Sequence, residues 1–548
     1  FTTLDAFAGY STGTINLQTG PEPVSLHVVN ASDNLFQVFA VKPLLGRTFA
    51  NDEERAGKND VAVLGYEVWH EQFDGNPGVI GRTVLLDGRP TAVIGVMPAG
   101  FRFPVALTRA VYMPFRNEAQ SWRENRGTHW MLTLGRLKQG VSRQAADAEL
   151  ASMMTNLARA YPDQDAGRHG TFLTLQSQVV GDTTGSLWLL AGAAATLLGI
   201  ACANVSGLLL ARAVRRQREM ALRCAVGAAR NRLVQQIITE GLVLAMFSGT
   251  LGVVLAYALL NGMRAFLIHA LARGADVHLN LLALSIALCV AVLTSLLASL
   301  LPALRLSTLN PNYALRAAGT GSDSRGQHRL RAGFLVAQVT LSFTLLSVAA
   351  LLLQSLAKLR DTDLGIDPDH TLAMEVDLSP GAYANRNPIT AFYEPMLDRL
   401  RGKPGIVAAG FISMLPVQSY GSNSDVQIVG HPPAPKNQEQ LAEVRYFTDG
   451  YFQAMGIPLL DGRMLSPGLD HVQSENPPYV VNEAFRRKFF SKGESPIGAR
   501  VVGDPKAAEQ SVIQGVTGNV RQNLFLPPLA EMDVLADSMP AKYSAGLT

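Results

Sequence analysis

LWLLAGAAATLLGIACANVSGLLLA at 187–211 runs directly into RAVRRQREMALRCAVGAARNRLVQQIITEG at 212–241, and the reading of these two pieces decides the fold. The first piece has no charged side chain, and as a helix it is long enough to cross the roughly 30 Å of hydrocarbon in a bilayer. The second carries Arg212, Arg215, Arg216, Arg218, Arg223, Arg230 and Arg232, and Glu219 is the only acid between Arg212 and Arg232. Basic residues beside a span are held on the cytoplasmic side, so this piece sets the orientation of the chain.

Working outward, uncharged stretches of spanning length occur at 187–211, 241–263, 279–304 and 332–357. The connection between the second and third has Arg264, Arg273 and Asp276, whereas the one between the third and fourth has Arg305, Arg316, Arg325, Arg329 and Arg331 against Asp323. The charge bias puts the first connection outside and the second inside. Alternation then gives an outer region at 1–185, a three-span core at 186–306, an inner linker at 307–331, a fourth span at 332–357 and a second outer region at 358–548. Within the linker, AAGTGSDSRGQHRLR at 317–331 is rich in Gly and Ser and is expected to be flexible.

Composition agrees with a membrane protein that has large soluble parts: of 548 residues, 17% are charged and 48% apolar. A formal charge of +3, with the arginines gathered beside spans, excludes a nucleic-acid binder. Cys202, Cys224 and Cys289 lie in or next to the apolar stretches, so neither a disulfide framework nor a metal site is expected. The chain opens on Phe1 without a leader of the signal type. Placing 1–185 outside therefore calls for a span ahead of it.

Both outer regions read as α+β. In the first, VSLHVV, VAVLGY, TVLLDG and TAVIGV are strand-like runs bounded by turn residues, and Ala146, Leu150, Met153, Met154 and Leu157 recur at helical spacing. The second repeats the first. NLFQVFAVKPLLGRTF at 34–49 lies over GYFQAMGIPLLDGRML at 450–465, Ile80-Gly81 over Ile497-Gly498, and VIGV at 93–96 over IQGV at 513–516. Three matches in the same order argue for duplication. By that plan, further spans are expected beyond 548.

Catalytic chemistry finds no support. The phosphate-cradling GxxxxGK[ST] is absent, because Gly57-Lys58 is followed by Asn and Gly402-Lys403 by Pro. GxSxG, HExxH and CxxC are absent too, and the Glu53-Glu54 pair reads as a solvated turn. No catalytic residue, cofactor or metal is expected. Inside the spans, Gly199, Ala203 and Gly207, and again Ser248, Gly252 and Ala256, repeat every fourth residue, which suits close helix packing. Asn204 and Gln338 are read as partners in interhelical hydrogen bonds.

The arginine-rich piece allows two readings. It could anchor to anionic lipid at about 1 kcal/mol per basic residue. It could also dock a cytoplasmic partner: Arg215, Glu219 and Arg223 are spaced to share one helix face, Gly227 offers a turn, and AARNRLVQQ restarts a short amphipathic helix. A helix, a turn and a second helix exceed what an anchor needs.

The run from Asn204 through Arg212, Glu219, Arg223, Gly227-Ala228, Arg230, Gln235 and Glu240 resembles the cytoplasmic signature of the MacB and FtsX class of ABC transporter permeases. PALRLSTLNPNYALRA at 302–317 resembles the element after the third span of such a core. LGRTF, VAVLGYEVW, NPGVIGRTVLLDG and VIGVMPAGFRFP resemble the MacB-type periplasmic core domain. The duplicated order is similar to double-length permeases found in acidobacteria, often without an adjacent ATPase.

The resemblance implies a multi-domain protein of the bacterial inner membrane, with an α-helical transmembrane bundle and two α+β MacB-like periplasmic core domains. It implies a permease for efflux or envelope export by mechanotransmission, in which a separate cytoplasmic ABC ATPase drives the spans and the spans move the periplasmic domains. A coupling segment would comprise Arg216, Glu219, Arg223, Gly227, Arg230 and Gln235, and a second cytoplasmic motif Pro302, Arg305, Pro311 and Arg316. A periplasmic adaptor and membrane lipid are further expected partners, and one duplicated chain could stand in for a homodimer. The alternative is a sensor or regulator that passes a signal to a periplasmic partner such as a wall hydrolase, without transport.

Overall fold

The structure is a computed structural model, and it describes the chain except residues 21, 56, 102, 105–108, 117–130, 166, 181–183, 216–229, 271–281, 283, 288, 291, 294–324, 379–382, 384–385, 418–421, 433–439, 471–476, 503–509, 525, 539–545 and 548. Two compact units divide it: one holds 1–103, 107–172 and 361–548, the other 104–106 and 173–360.

The first sheet uses β1 (Leu4–Gln18), β2 (Val24–Ala31), β3 (Leu45–Gly46), β4 (Val61–Leu64), β5 (Thr83–Leu86), β6 (Arg89–Val96), β7 (Ala110–Pro114) and β8 (Leu132–Leu137). Its order is β2-β7-β4-β6-β5-β1-β8, with β3 on β6, and β1 also pairs with β2. That last pairing closes six strands into a ring. The β5–β6 hairpin turns at Asp87-Gly88, both at positive φ, which matches the right-handed twist of the strands it joins. Asp87 Oδ1 also accepts from the Asn16 N–H at 2.9 Å, tying the hairpin to β1.

Helix α1 (Leu35–Phe39) buries Leu35, Phe36 and Val38, and α2 (Tyr66–Phe73) buries Val68, Trp69 and Phe73. The second of these is the crossover between the parallel strands β4 and β6. One apolar cluster gathers Leu17, Leu64, Val68, Trp69, Leu86 and Val93, and another gathers Phe36, Phe49, Val63, Met97 and Tyr112. The spacing that predicts a helix from 143 produces α3 (Arg143–Ala160), capped by the Ser142 hydroxyl on the Ala145 N–H. Within α3 the Glu149 carboxylate accepts from Thr2 and Thr3, so its pKa falls to about 2.

Three long helices make up most of the second unit: α4 (Thr184–Arg215), α5 (Arg230–Ala270) and α6 (Arg325–Arg360). Each contains a segment long and apolar enough to span, at Thr184–Val205, Met246–Met263 and Leu335–Arg360. They extend beyond the stretches read as spans because a formed helix propagates at little further cost. In particular, α6 begins at Arg325, inside the linker expected to be flexible. The expected span at 279–304 falls largely outside the described residues, and among the described residues there are three spanning candidates. Leu190, Leu208, Phe247, Leu251, Phe343 and Leu353 are exposed on these helices, a surface that suits lipid.

The second sheet returns to the pattern of the first. Its strands are β9 (Val376–Asp377), β10 (Ser422–Asp425), β11 (Gln427–Ile428), β12 (Leu441–Phe447), β13 (Leu459–Gly462), β14 (Tyr479–Asn482), β15 (Arg500–Val502), β16 (Ser511–Thr517), β17 (Glu531–Leu535) and β18 (Gly546–Leu547), with β9 and β18 paired apart. The main order is β10-β12-β17-β14-β16-β15-β11, with β13 on β16. Parallel pairs β12–β17 and β14–β16 match β2–β7 and β4–β6, and antiparallel β14–β17 matches β4–β7. In the place of β1 stand β10 and β11, on either side of the buried Val426. Helix α7 (Glu394–Arg401) packs Leu397 with Ile389, Tyr393 and Phe411. Helices α8 (Tyr451–Ala454), α9 (Pro467–Asp470) and α10 (Glu483–Phe489) follow, α10 being the counterpart of α2.

Candidate coupling site and a clamp repeated in both sheets

Of the expected coupling residues, Arg216, Glu219, Arg223 and Gly227 lie outside the described residues, between the end of α4 and the start of α5. Arg230 is the first residue of α5, and Gln235 is exposed just over a turn later. The second motif, Pro302, Arg305, Pro311 and Arg316, lies wholly outside the described residues. Among the described residues, the structure places two of the expected site residues, Arg230 and Gln235, on one helix.

What the spans do show is how they pack. Built on Gly199 of α4, a methyl would stand 3.3 Å from Leu341 Cδ1 of α6, so this glycine lets the two helices approach. Gly207 and Gly252 have open space where a side chain would be. Thr196, Thr250 and Thr344 donate to the carbonyls of Gly192, Met246 and Thr340, at 2.8, 2.8 and 2.9 Å, so their hydroxyls are satisfied inside their own helices. The expected interhelical bonds of Asn204 and Gln338 are not found: Asn204 is exposed, Gln338 half-buried, and neither makes a side-chain hydrogen bond among the described residues.

Each sheet also holds the same clamp. Arg47, just after β3, donates from Nη1 and Nη2 to the two Glu53 oxygens at 3.0 and 2.7 Å, and Glu53 accepts from the Ala50 N–H at 2.8 Å. Arg463, just after β13, grips Asp470 at 2.6 and 2.7 Å, and Asp470 accepts from the Ser466 N–H at 2.9 Å. Both arginines follow a glycine at positive φ whose Cβ would strike a carbonyl of the neighbouring strand, Gly46 against Ile94 and Gly462 against Gln514.

Glu53-Glu54 is thus not the solvated turn expected. Glu53 is buried in the clamp, and Glu54 accepts from the Asp33 N–H at 2.7 Å. The signal was available, since Gly-Arg is followed by an acid six or seven positions on in both halves.

Burial pushes the Glu53 carboxyl up, but the hydrogen bonds from Arg47 and Ala50 outweigh it and hold the pKa below the usual range. For Asp470 the Arg463 hydrogen bond is the largest effect, and the net direction is again down. A depressed carboxylate pKa adds stability that is present above the unfolded value and lost as pH falls through the folded one. Arg47→Ala and Arg463→Ala are each expected to cost about 1–2 kcal/mol, discounted because both guanidinium groups are half exposed. Urea unfolding of each variant at neutral and acidic pH checks this, and a loss unchanged by acid would speak against the clamp.

Residues 3–153 match the family model of the MacB-like periplasmic core domain, and 191–311 that of the FtsX-like permease C-terminal region. Macrolide export ATP-binding/permease protein MacB of Escherichia coli (strain K12) is 27% identical over 297 residues, covering 52% of this chain and 42% of that protein. The protein of the same name from Salmonella paratyphi A (strain ATCC 9150 / SARB42) is 26% identical over 305 residues, covering 55% and 45%. The chain thus spans less than half the length of these relatives. The crystal structure of the periplasmic region of MacB from Actinobacillus actinomycetemcomitans matches over 30% of this chain and 71% of its own, at 19% identity and a TM-score of 0.23.

Proposed function

We propose that this chain, which by its MacB-like periplasmic core and FtsX-like domains belongs to the ABC transporter permease class, is the permease part of an efflux or envelope export system driven by a separate cytoplasmic ATPase. The observation that carries the reading is the arginine-dense stretch 212–232 set between two long apolar helices, α4 and α5. Residues 216–235 form the handle an ATPase grips, and α4 is the lever it moves. Substrate need not cross the bundle: ATP-driven movement of the handle is relayed along the spans to the outer sheets.

The second sheet serves as a second periplasmic core domain, derived by duplication, so that one chain does the work of two subunits. Support for this comes from the matched strand pairings and from the Arg47 and Arg463 clamps. The sequence repeats at 34–49 and 450–465 point the same way.

The test is co-purification of the full chain, in detergent, with the ABC ATPases of its source organism, followed by reconstitution of any pair recovered. The expected result is a stable complex whose ATP hydrolysis is faster than that of the ATPase alone. A chain that recovers a periplasmic enzyme and no ATPase would overturn the transport reading in favour of a signalling role.

A further inference from the structure

The second sheet departs from the first in one buried patch. Where Val29 of β2 faces Tyr112 of β7, Arg445 of β12 faces Asp533 of β17, and where His27 faces Ala110, Glu443 faces Glu531. Arg445 is 0% exposed, Asp533 3%, Glu531 5% and Glu443 7%. One cation therefore shares a buried site with three acids.

Arg445 Nε lies 2.8 Å from Glu531 Oε1, and Gln522 Nε2 donates to Glu531 Oε2 at 2.9 Å. Glu531 and Asp533 stand two residues apart on β17, opposite Glu443 and Arg445 of β12. A single guanidinium cannot balance both carboxylates in so buried a place, so one of the two keeps its proton. Asp533 Oδ1 has no hydrogen-bond partner among the described residues, and Asp533 lines a cavity of about 10 Å³ together with Tyr451, Asn482, Thr517 and Glu531. That space takes a single water.

We propose that this cavity is a proton site, in which Glu531 and Asp533 share one proton beneath Arg445 and one enclosed water donates to Asp533 Oδ1. With the proton in place, the pair and Arg445 sum to neutrality. Without it, a net negative charge is left where solvent cannot compensate it, with Glu443 of β12 adding to the repulsion. Burial pushes Asp533 well above the usual carboxylate range, with the Glu531 charge adding to it, and burial raises Glu531 against the pull of Arg445. Tyr451 of α8 stays a neutral phenol, its pKa raised by burial and then by the two acids.

The folded state thus holds the proton more tightly than the unfolded chain. The stability this contributes is full below the ordinary carboxylate range and is lost as pH rises through the raised values. The β12–β17 pair is the part of the sheet that loosens in alkaline surroundings.

Infrared spectra and thermal unfolding of the full chain in detergent, for wild type, Asp533→Asn and Glu531→Gln, test this. The wild-type minus Asp533→Asn difference spectrum at neutral pH is expected to show the carbonyl band of a neutral carboxyl, fading as pH is raised. Thermal stability of wild type should fall over the same range, while that of Asp533→Asn stays level. Should Asp533→Asn fail to fold, Glu531→Gln gives the same two readouts, since Asp533 would then pair ionised with Arg445. Absence of the neutral-carboxyl band at neutral pH, or equal pH slopes in wild type and variant, overturns the proposal.

Discussion

Reversing charge at Arg223 and Arg230 together, by Arg223→Glu and Arg230→Glu, is expected to return a partner ATPase to its basal rate while the chain inserts in normal amount. Coupling between sites is typically worth about 1–3 kcal/mol, so the stimulation at stake is about 5- to 150-fold. Arg223 and Arg230 bracket Gly227, where the sequence breaks between two helical pieces, and Arg230 opens α5. A carboxylate at either position would meet, with the wrong sign, the acids an arginine handle selects. Insertion survives because Arg212, Arg215, Arg216, Arg218 and Arg232 still mark the cytoplasmic side. ATP hydrolysis by the reconstituted pair, with membrane-fraction yield as the control, is the measurement. Stimulation unchanged in the double variant would remove 216–235 from the coupling path.

Arg445→Leu is expected to cost the second sheet about 3–5 kcal/mol, because it strips the one cation from a buried acidic patch. The loss should sit at the low end near neutral pH, where Glu531 and Asp533 can take up protons, and grow as pH rises. Replacing all three together, by Arg445→Met, Glu531→Leu and Asp533→Val, is expected to recover most of the loss. The first sheet already carries apolar Val29, Ala110 and Tyr112 at the matching places. Limited proteolysis of the full chain across urea reports both effects. A triple variant no better than Arg445→Leu would show that the patch is needed for more than charge balance.

Much of the architecture was legible because it rests on short-range patterns. Uncharged runs of spanning length gave α4, α5 and α6 in outline, and alternating runs gave β2, β4, β5 and β6. The repeat was visible because its glycines do the same job twice: Gly95 and Gly515 each leave room for the carbonyl of the clamp arginine, Arg47 or Arg463, and Gly81 and Gly498 sit at φ of 81° and 80°.

Less legible was whatever depends on a distant partner. Arg445 meets Glu531 through strands far apart in sequence, and no local pattern marks either as buried. Glu53 was misread because its neighbours are polar, although its partner is only six residues away. Of the proposed coupling residues, Arg230 and Gln235 lie in α5, and the others fall outside the described residues.

Ring closure by β1 bears on how the first sheet carries load. An open sheet pulled at its edge strand unzips one ladder of hydrogen bonds at a time, each rupture concentrating force on the next. A strand of a closed ring is gripped on both flanks, as β1 is by β2 and β5, so a tug must shear two ladders at once. Such a hoop yields late under load, as the proposed relay of repeated strokes to this sheet would require.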